Sequence, residues 1–275
     1  MAIHDNPYQT PQSVLTSDVD AGHNGNLDDA LAGRYDFDIR AVLEEAWSKV
    51  PGTKRVFVLA GVAIFVFVMV ATVVLRFVIP GAQAEHPGFF AQVTMQLALT
   101  VVIYPFMVGM NMLGIRRAAG LPIDVAQAFG YFHLVVPVAI AAVLVTVSTM
   151  IGFALLVLPG IYLSFAYLFT LPLIADKNLT PWQAMEASRR AVTHHWFKVF
   201  GLMVIVGLAI AIPAMVGFAL FVVAAKGGMI FGMLGLAFLL VLFAAMLWAG
   251  PLLMIAIGIL YRIIFGIEEE TLRAF

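Results

Sequence analysis

Cysteine is absent from this 275-residue chain, which excludes disulfides, thiolate metal ligands and cysteine nucleophiles. Charge is also scarce, because Asp, Glu, Lys and Arg make up 11% of the residues, whereas roughly a quarter is usual in soluble domains. The formal net charge of −1 favours neither a nucleic-acid partner nor an acidic one. What remains is apolar, since 63% of residues are hydrophobic. This composition predicts an all-α integral membrane protein.

The first 37 residues contain few bulky aliphatic side chains, and we expect no cleavable signal peptide there. No basic stretch followed by an apolar one occurs there, so we expect insertion to rely on the first span. A segment this polar buries too little apolar surface to offset the entropy of ordering. We therefore predict a disordered cytoplasmic tail over residues 1–37. Within it, Asn6, Pro7, Tyr8 and Pro11 form a candidate docking motif for a protein partner, although a plain turn is the simpler interpretation.

Six apolar stretches are candidates for crossing a bilayer core about 30 Å thick. They cover residues 56–79, 89–115, 134–158, 161–175, 197–224 and 229–265. The fourth is short, and proline interrupts the second, fourth and sixth at Pro105, Pro172 and Pro251. The sequence thus predicts a six-helix membrane domain over residues 38–266, followed by a polar cytoplasmic tail over residues 267–275.

Three short helices are predicted at the membrane surface, each beginning at a capping residue. Asp38 and Asp124 open two of them, and Thr180 begins the capping box TPWQ, with proline at the first helical position. On the third helix we place Trp182 and Met185 on one apolar face. These segments are too short or too charged to span, so we expect interfacial amphipathic helices.

The order of capped helix, span and proline-broken span suggests an internal repeat. Pro105 and Arg116 are eleven residues apart, as are Pro251 and Arg262, and a glycine follows four residues after each arginine. All three units would enter the membrane from the same side. We predict a threefold parallel repeat, unlike the inverted repeats of many transporters. The alternative is chance, because proline and terminal arginine are common in such helices.

Basic residues concentrate on one predicted side of the membrane. With the first tail in the cytoplasm, thirteen of the 15 Lys and Arg residues lie inside, and only Arg76 and Lys226 lie outside. The positive-inside rule therefore predicts a multi-pass protein with both termini cytoplasmic. The sixth stretch would measure roughly 55 Å as a helix, so it either protrudes into the cytoplasm beyond Pro251 or turns back there. We favour protrusion, since turning back would place Arg262 outside.

Six of the basic residues are candidates for binding lipid headgroups. They lie at predicted cytoplasmic ends of spans or on the third interfacial helix, where each would attract anionic headgroups by roughly 1 kcal/mol. The candidates are Arg116, Arg117, Arg189, Arg190, Lys198 and Arg262. The alternative is that these side chains only set the orientation of the protein.

Other chemistry finds little support in the sequence. No Asp, Glu, Lys or His falls in the middle of a predicted span, although coupled transporters usually need such groups. His194 and His195 would point about 100° apart on a helix, with no carboxylate spaced to complete a metal site. No catalytic set lies at one membrane depth, so we expect no enzyme activity, metal or cofactor.

Two functions remain open on this evidence. The first is a non-catalytic protein that organises or handles phospholipid at the cytoplasmic leaflet, which the interfacial helices and the basic rim favour. The second is a channel or uncoupled transporter for a small solute, lined by the three proline-broken spans. A continuous polar cavity would favour the second, and acyl-chain grooves in an apolar bundle would favour the first.

One stretch carries a family resemblance. Its strings are LPGIY at 158–162, PLIADK at 172–177 and PWQAM at 181–185, with Ser188 and Trp196 beyond them. Here the chain resembles the YciC-like group of bacterial inner-membrane proteins, akin to the membrane region of some glycerophosphodiester phosphodiesterases. The resemblance covers roughly residues 115–265 and departs in the first tail. It implies a six-span inner-membrane protein and no established activity.

Overall fold

The computed structural model describes residues 25–84, 86–224 and 249–273, and within these ranges the chain forms helices and connecting turns. The α-helices are α1 (Leu27–Ala32), α2 (Ile39–Lys49), α3 (Lys54–Val78), α4 (Phe89–Ala118), α5 (Val135–Leu155), α6 (Val157–Ala166), α7 (Thr170–Lys177), α8 (Pro181–His194), α9 (Trp196–Ala224), α10 (Ala249–Phe265) and α11 (Glu269–Arg273). Two 3-10 helices, Val125–Phe129 and Phe132–Leu134, precede α5.

Five stretches of helix are long and apolar enough to cross a membrane. They are α3, α4, the stretch Val125–Leu155, the stretch Val157–Lys177 and residues Trp196–Phe218 of α9. The chain is therefore a helical, multi-pass membrane protein. A further helix, α10, is apolar but shorter. The first part of the predicted sixth span lies in residues 225–248, outside the described residues, so the sixth span and its course beyond Pro251 remain predictions.

Helix α4 lies at the centre of the packing. It contacts α3, α5, α7 and the first 3-10 helix. Its contact with α10 requires glycine, because a Cβ at Gly114 would lie 2.2 Å from the Met254 carbonyl oxygen. A Cβ at Gly258 would lie 2.4 Å from the Gly114 carbonyl oxygen. The two backbones therefore touch directly, in the way that small residues allow between membrane helices.

The fourth span is broken between α6 and α7, over residues 167–169. Pro172 explains the break, because it lacks an N–H and its ring clashes with the carbonyl four residues earlier. The buried Ser188 of α8 bridges the gap. Its hydroxyl donates to the Ala166 carbonyl at 2.7 Å and accepts from the Phe169 N–H at 3.1 Å. A side chain from a different helix thus stabilises the break in the fourth span.

The prediction of a disordered tail over residues 1–37 is wrong for residues 25–37. The Gly25 N–H donates to the Arg262 carbonyl at 3.1 Å, and the Tyr35 hydroxyl donates to the Ala191 carbonyl at 2.7 Å. Phe37 is buried in the main core. These anchors outweigh the polar composition of the segment, on which the prediction was based. Residues 1–24, with the candidate docking motif, lie outside the described residues.

Two of the helices predicted at the membrane surface also differ from the prediction. The segment after Asp124 is a 3-10 helix, and Phe129 packs edge-on against Phe106 at 5.2 Å between ring centroids. On α8, Met185 is buried as expected, but Trp182 is 62% exposed and does not share its face. In the second tail, α11 packs against the end of α4, because the Thr271 carbonyl accepts a hydrogen bond from the Arg116 guanidinium group.

Candidate functional site

One of the basic candidates, Arg117, lies where α2 and α4 end side by side. The Arg117 Nε donates to the Lys49 carbonyl at 2.9 Å and its Nη2 donates to the Pro51 carbonyl at 3.1 Å, so Arg117 satisfies the carbonyl end of α2. In the opposite direction, the Lys49 ammonium of α2 donates to the Ala118 carbonyl at the end of α4. Cations at helix C-termini are favourable because the last carbonyls lack partners within the helix.

Arg262 of α10 also contacts the ends of α2 and α4. Its Nη1 donates to the Ala118 carbonyl at 2.7 Å, and its Nη2 contacts both carboxylate oxygens of Glu45 at 2.9 and 3.0 Å. Glu45 also pairs with Lys49 at 2.7 Å. The Arg262 side chain is only 10% exposed. Arg262 therefore has its carboxylate partner within the protein, at a junction of α2, α4 and α10, and shares that partner with Lys49.

Arg116 is the most buried of the candidates. It is 3% exposed, and its Nη1 donates to the Thr271 carbonyl at 2.7 Å. This bond ties the last helix to the end of α4. In this geometry Arg116 faces protein, so its predicted contact with a headgroup would need a local opening.

Arg189 and Arg190 share one acidic partner on α8. The Glu186 carboxylate accepts from the Arg189 Nε and Nη2, both at 2.8 Å, and from the Arg190 Nε at 2.6 Å. These hydrogen bonds, first that of Arg189, lower the pKa of Glu186 to about 2. The Arg190 side chain remains 60% exposed. The trio carries a net charge of +1 on an accessible helix surface.

Lys198 lies near the start of α9 and holds the segment before α2. Its ammonium donates to Asp36 Oδ1 at 2.5 Å and to the Phe37 carbonyl at 3.4 Å. The Lys198 contact, together with the Phe37 N–H, lowers the pKa of Asp36. An ammonium group has three donors, so a third donor of Lys198 remains for another acceptor.

A cavity of about 630 Å³ separates the start of α9 from α2 and α10. We call it the charged cavity. Its lining residues are Asp36, Phe37, Asp38, Ala41, Val42, Glu45, Lys198, Arg262 and Ile263. With three acidic and two basic side chains, its lining has a net charge of −1. The structure therefore brings Lys198 and Arg262 to the same cavity, where acidic side chains surround them.

A second cavity, of about 350 Å³, lies among the spans. We call it the apolar cavity. Its lining residues are Ile103, Tyr104, Met107, Ala141, Ala142, Val145, Tyr167, Leu168, Thr170 and Leu171. They come from α4, α5 and the region where the fourth span is broken. The Thr170 hydroxyl is buried with no hydrogen-bond partner among the described residues.

The basic side chains were visible in the sequence, whereas the cavity acids were missed. Asp36 fell in the segment predicted to be disordered, and Asp38 was assigned only as a cap. One signal was available, since Asp38 and Glu45 are seven residues apart and therefore share a helix face. The two histidines also have structural contacts, because His194 Nε2 lies 3.1 Å from the Leu31 carbonyl oxygen and His195 packs on Tyr35.

Neither cavity has the features of a metal centre. Within residues 25–84, 86–224 and 249–273, no group of three or more His, Asp or Glu side chains is placed to hold an ion. The functional argument therefore depends on shape and charge. Comparison with protein-family models, with curated proteins and with solved structures finds no match to the chain.

Proposed function

We propose that this protein is a non-catalytic, multi-pass inner-membrane protein that organises or handles phospholipid at the cytoplasmic leaflet. The observation that carries the proposal is the apolar cavity of about 350 Å³ within the membrane-spanning helices. This volume lies within the range of about 300 to 1,000 Å³ that is typical of ligand sites. At that depth an acyl chain is the abundant apolar ligand.

The lining of the apolar cavity supports lipid over the alternative of a small polar solute. Most of its side chains are aliphatic, and its polar groups are the hydroxyls of Tyr104, Tyr167 and Thr170. A channel or transporter for a polar solute needs hydrogen-bonding groups or charges along its path to replace water. A chain of methylene groups needs none.

The rim of this region carries accessible positive charge. Arg189 lies within electrostatic range of Tyr167, which lines the apolar cavity, and of the nearby Tyr162. Arginine suits phosphate because its planar group offers paired donors. An acyl chain in the cavity would thus place its headgroup toward Arg189 and Arg190.

The test replaces the charged trio of α8 and measures bound lipid. The variant carries Glu186→Gln, Arg189→Gln and Arg190→Gln, so that no unpaired carboxylate remains, with two lysines added in residues 1–24 to preserve the orientation bias. We expect co-purifying anionic phospholipid, measured by native mass spectrometry, to fall by roughly fivefold, because one net charge is worth about 1 kcal/mol.

A matched control removes the same charges from an exposed surface away from the cavity. It carries Arg40→Gln, Glu44→Gln and Arg273→Gln with the same added lysines; Arg40 and Glu44 form an exposed pair at 2.7 Å. We expect the control to retain its lipid. Equal retention in both variants, or equal loss, would argue against the proposal.

We further infer a six-span protein with both termini cytoplasmic, built as a threefold parallel repeat and related to the YciC-like group. The ends of α4, α7 and α10 support the repeat. Each is followed by a residue with positive φ, namely Gly120 (78°), Asn178 (52°) and Gly266 (65°). An aliphatic residue comes next in all three cases, and a new helical segment follows within a few residues.

A further inference from the structure

We propose that the charged cavity binds a primary ammonium group next to a phosphate diester, the headgroup of phosphatidylethanolamine. This inference rests on the proposed function, because it names the lipid class that a second site of the same protein selects. The charged cavity and the apolar cavity share no lining residue. The two sites are therefore open to separate tests.

Both bases of the charged cavity already have an acidic partner. Arg262 directs its Nη groups to Glu45 and to the Ala118 carbonyl, and Lys198 pairs with Asp36. Asp38 is then the acid without a basic partner among the described residues. The negative charge of Asp38 is therefore available in the cavity, and it favours the cation of a headgroup as its partner.

Two carboxylate oxygens remain available to that cation. Oδ1 of Asp36 takes the bonds from Phe37 and Lys198, and Oδ1 of Asp38 takes the bond from the Ala41 N–H. The Oδ2 atoms of both carboxylates have no donor within the described part of the chain. Both side chains lie on the exposed side of an extended stretch, flanking the buried Phe37. A primary ammonium, with three donors, matches such a pair of acceptors.

Lys198 supplies the complement for the phosphate. Its ammonium retains one donor after its bonds to Asp36 and Phe37. A ligand that carries a cation and an anion side by side therefore meets an acid pair and a lysine donor in one cavity. Phosphatidylglycerol lacks the ammonium, and the quaternary ammonium of phosphatidylcholine has no N–H and is best recognised by aromatic faces, whereas Phe37 is buried.

The depth of the cavity points to a lipid rather than a soluble amine. Lys198 is the only charged residue in α9, and it lies at the third position of that helix. The adjacent Phe197 is 83% exposed. The cavity thus opens where the apolar surface of a candidate span begins, which is the level of the lipid headgroups.

The experiment uses the full chain in detergent with an equimolar mixture of phosphatidylethanolamine, phosphatidylglycerol and phosphatidylcholine, read by native mass spectrometry. We expect phosphatidylethanolamine to be enriched in the bound fraction. The variant Asp36→Asn with Asp38→Asn removes the charge but keeps the acceptors for Lys198 and Ala41, and asparagine caps a helix as well as aspartate does. The enrichment should fall about tenfold, the order expected for charge-assisted hydrogen bonds.

The control variant removes two exposed acids elsewhere, with Asp28→Asn and Glu270→Gln, and should keep the enrichment. A second arm adds water-soluble glycerophosphoethanolamine; equal competition by this compound would overturn the assignment to a lipid. Bound lipid without preference for phosphatidylethanolamine would overturn the inference and leave the proposed function standing. Dependence of bound lipid on the α8 trio tests that function separately.

Discussion

At the scale of single residues, Ser188 shows how a small side chain shapes a membrane span. It lies on α8, is fully buried, and both donates to and accepts from the backbone where α6 and α7 separate. Buried backbone groups without partners cost free energy comparable to a lost hydrogen bond. One hydroxyl therefore compensates for the hydrogen bonding that Pro172 disrupts in the fourth span.

Replacing this hydroxyl should destabilise the protein measurably. We expect Ser188→Ala to cost about 1 to 3 kcal/mol, because both backbone partners would remain buried and unpaired. The measurement is thermal unfolding in detergent micelles followed by circular dichroism. Ser48→Ala is the control, since Ser48 is exposed and bonds only to the carbonyl three residues earlier. Indistinguishable unfolding of the two variants would exclude the bridging role.

The partners of the basic residues mark the limit of prediction at this scale. The sequence indicates where arginines lie along the chain, and in the structure Arg116 and Arg117 lie in the last turn of α4. It does not indicate that Arg262 pairs with Glu45, because 217 positions separate the two residues. The packing of α10 on α4 through Gly114 and Gly258, together with the packing of α2 on α4, brings them together.

At the scale of helices, local signals were reliable. Asp38, Asp124 and Thr180 were predicted as caps, and each accepts a backbone hydrogen bond from the first turn that follows. A helix cap depends on residues within four positions of one another, so the local sequence is sufficient to predict it. The folded segment 25–37 was missed because its anchors, Arg262 and Ala191, are distant in sequence.

The cap of α8 gives a prediction at this scale. Thr180→Ala should lower the local stability of α8 by about 0.5 to 2 kcal/mol, because the Gln183 N–H loses its acceptor. Hydrogen exchange over residues 182–190 should become faster. Asp124→Ala removes the corresponding cap of the first 3-10 helix, which packs on α3 and α4, and should leave exchange in α8 unchanged. Unaltered exchange in the Thr180 variant would contradict the assigned cap.

At the scale of the whole molecule, the more apolar spans are the less buried ones. Helix α3 is more apolar than α4, yet 6% of its most apolar window is buried against 50% for α4. In a soluble protein the most apolar helix would be the most buried. In a membrane, lipid solvates the apolar helix, and small or polar residues favour contact between helices. The sequence therefore predicts the spans, but their arrangement around α4 depends on close contacts such as Gly109 with Ala128.

The orientation of the molecule is the last prediction, and the absence of cysteine makes it testable. Single cysteines introduced into this cysteine-free chain report one position each. Because thirteen of the 15 basic residues lie on one predicted side, Ala84→Cys and Gly227→Cys should react with an impermeant thiol reagent added from the periplasm. Gln183→Cys, at the exposed start of α8, should react only after the membrane is permeabilised. Labelling of position 183 in intact cells would reverse the orientation and place the proposed lipid contacts of Arg189 and Arg190 in the outer leaflet.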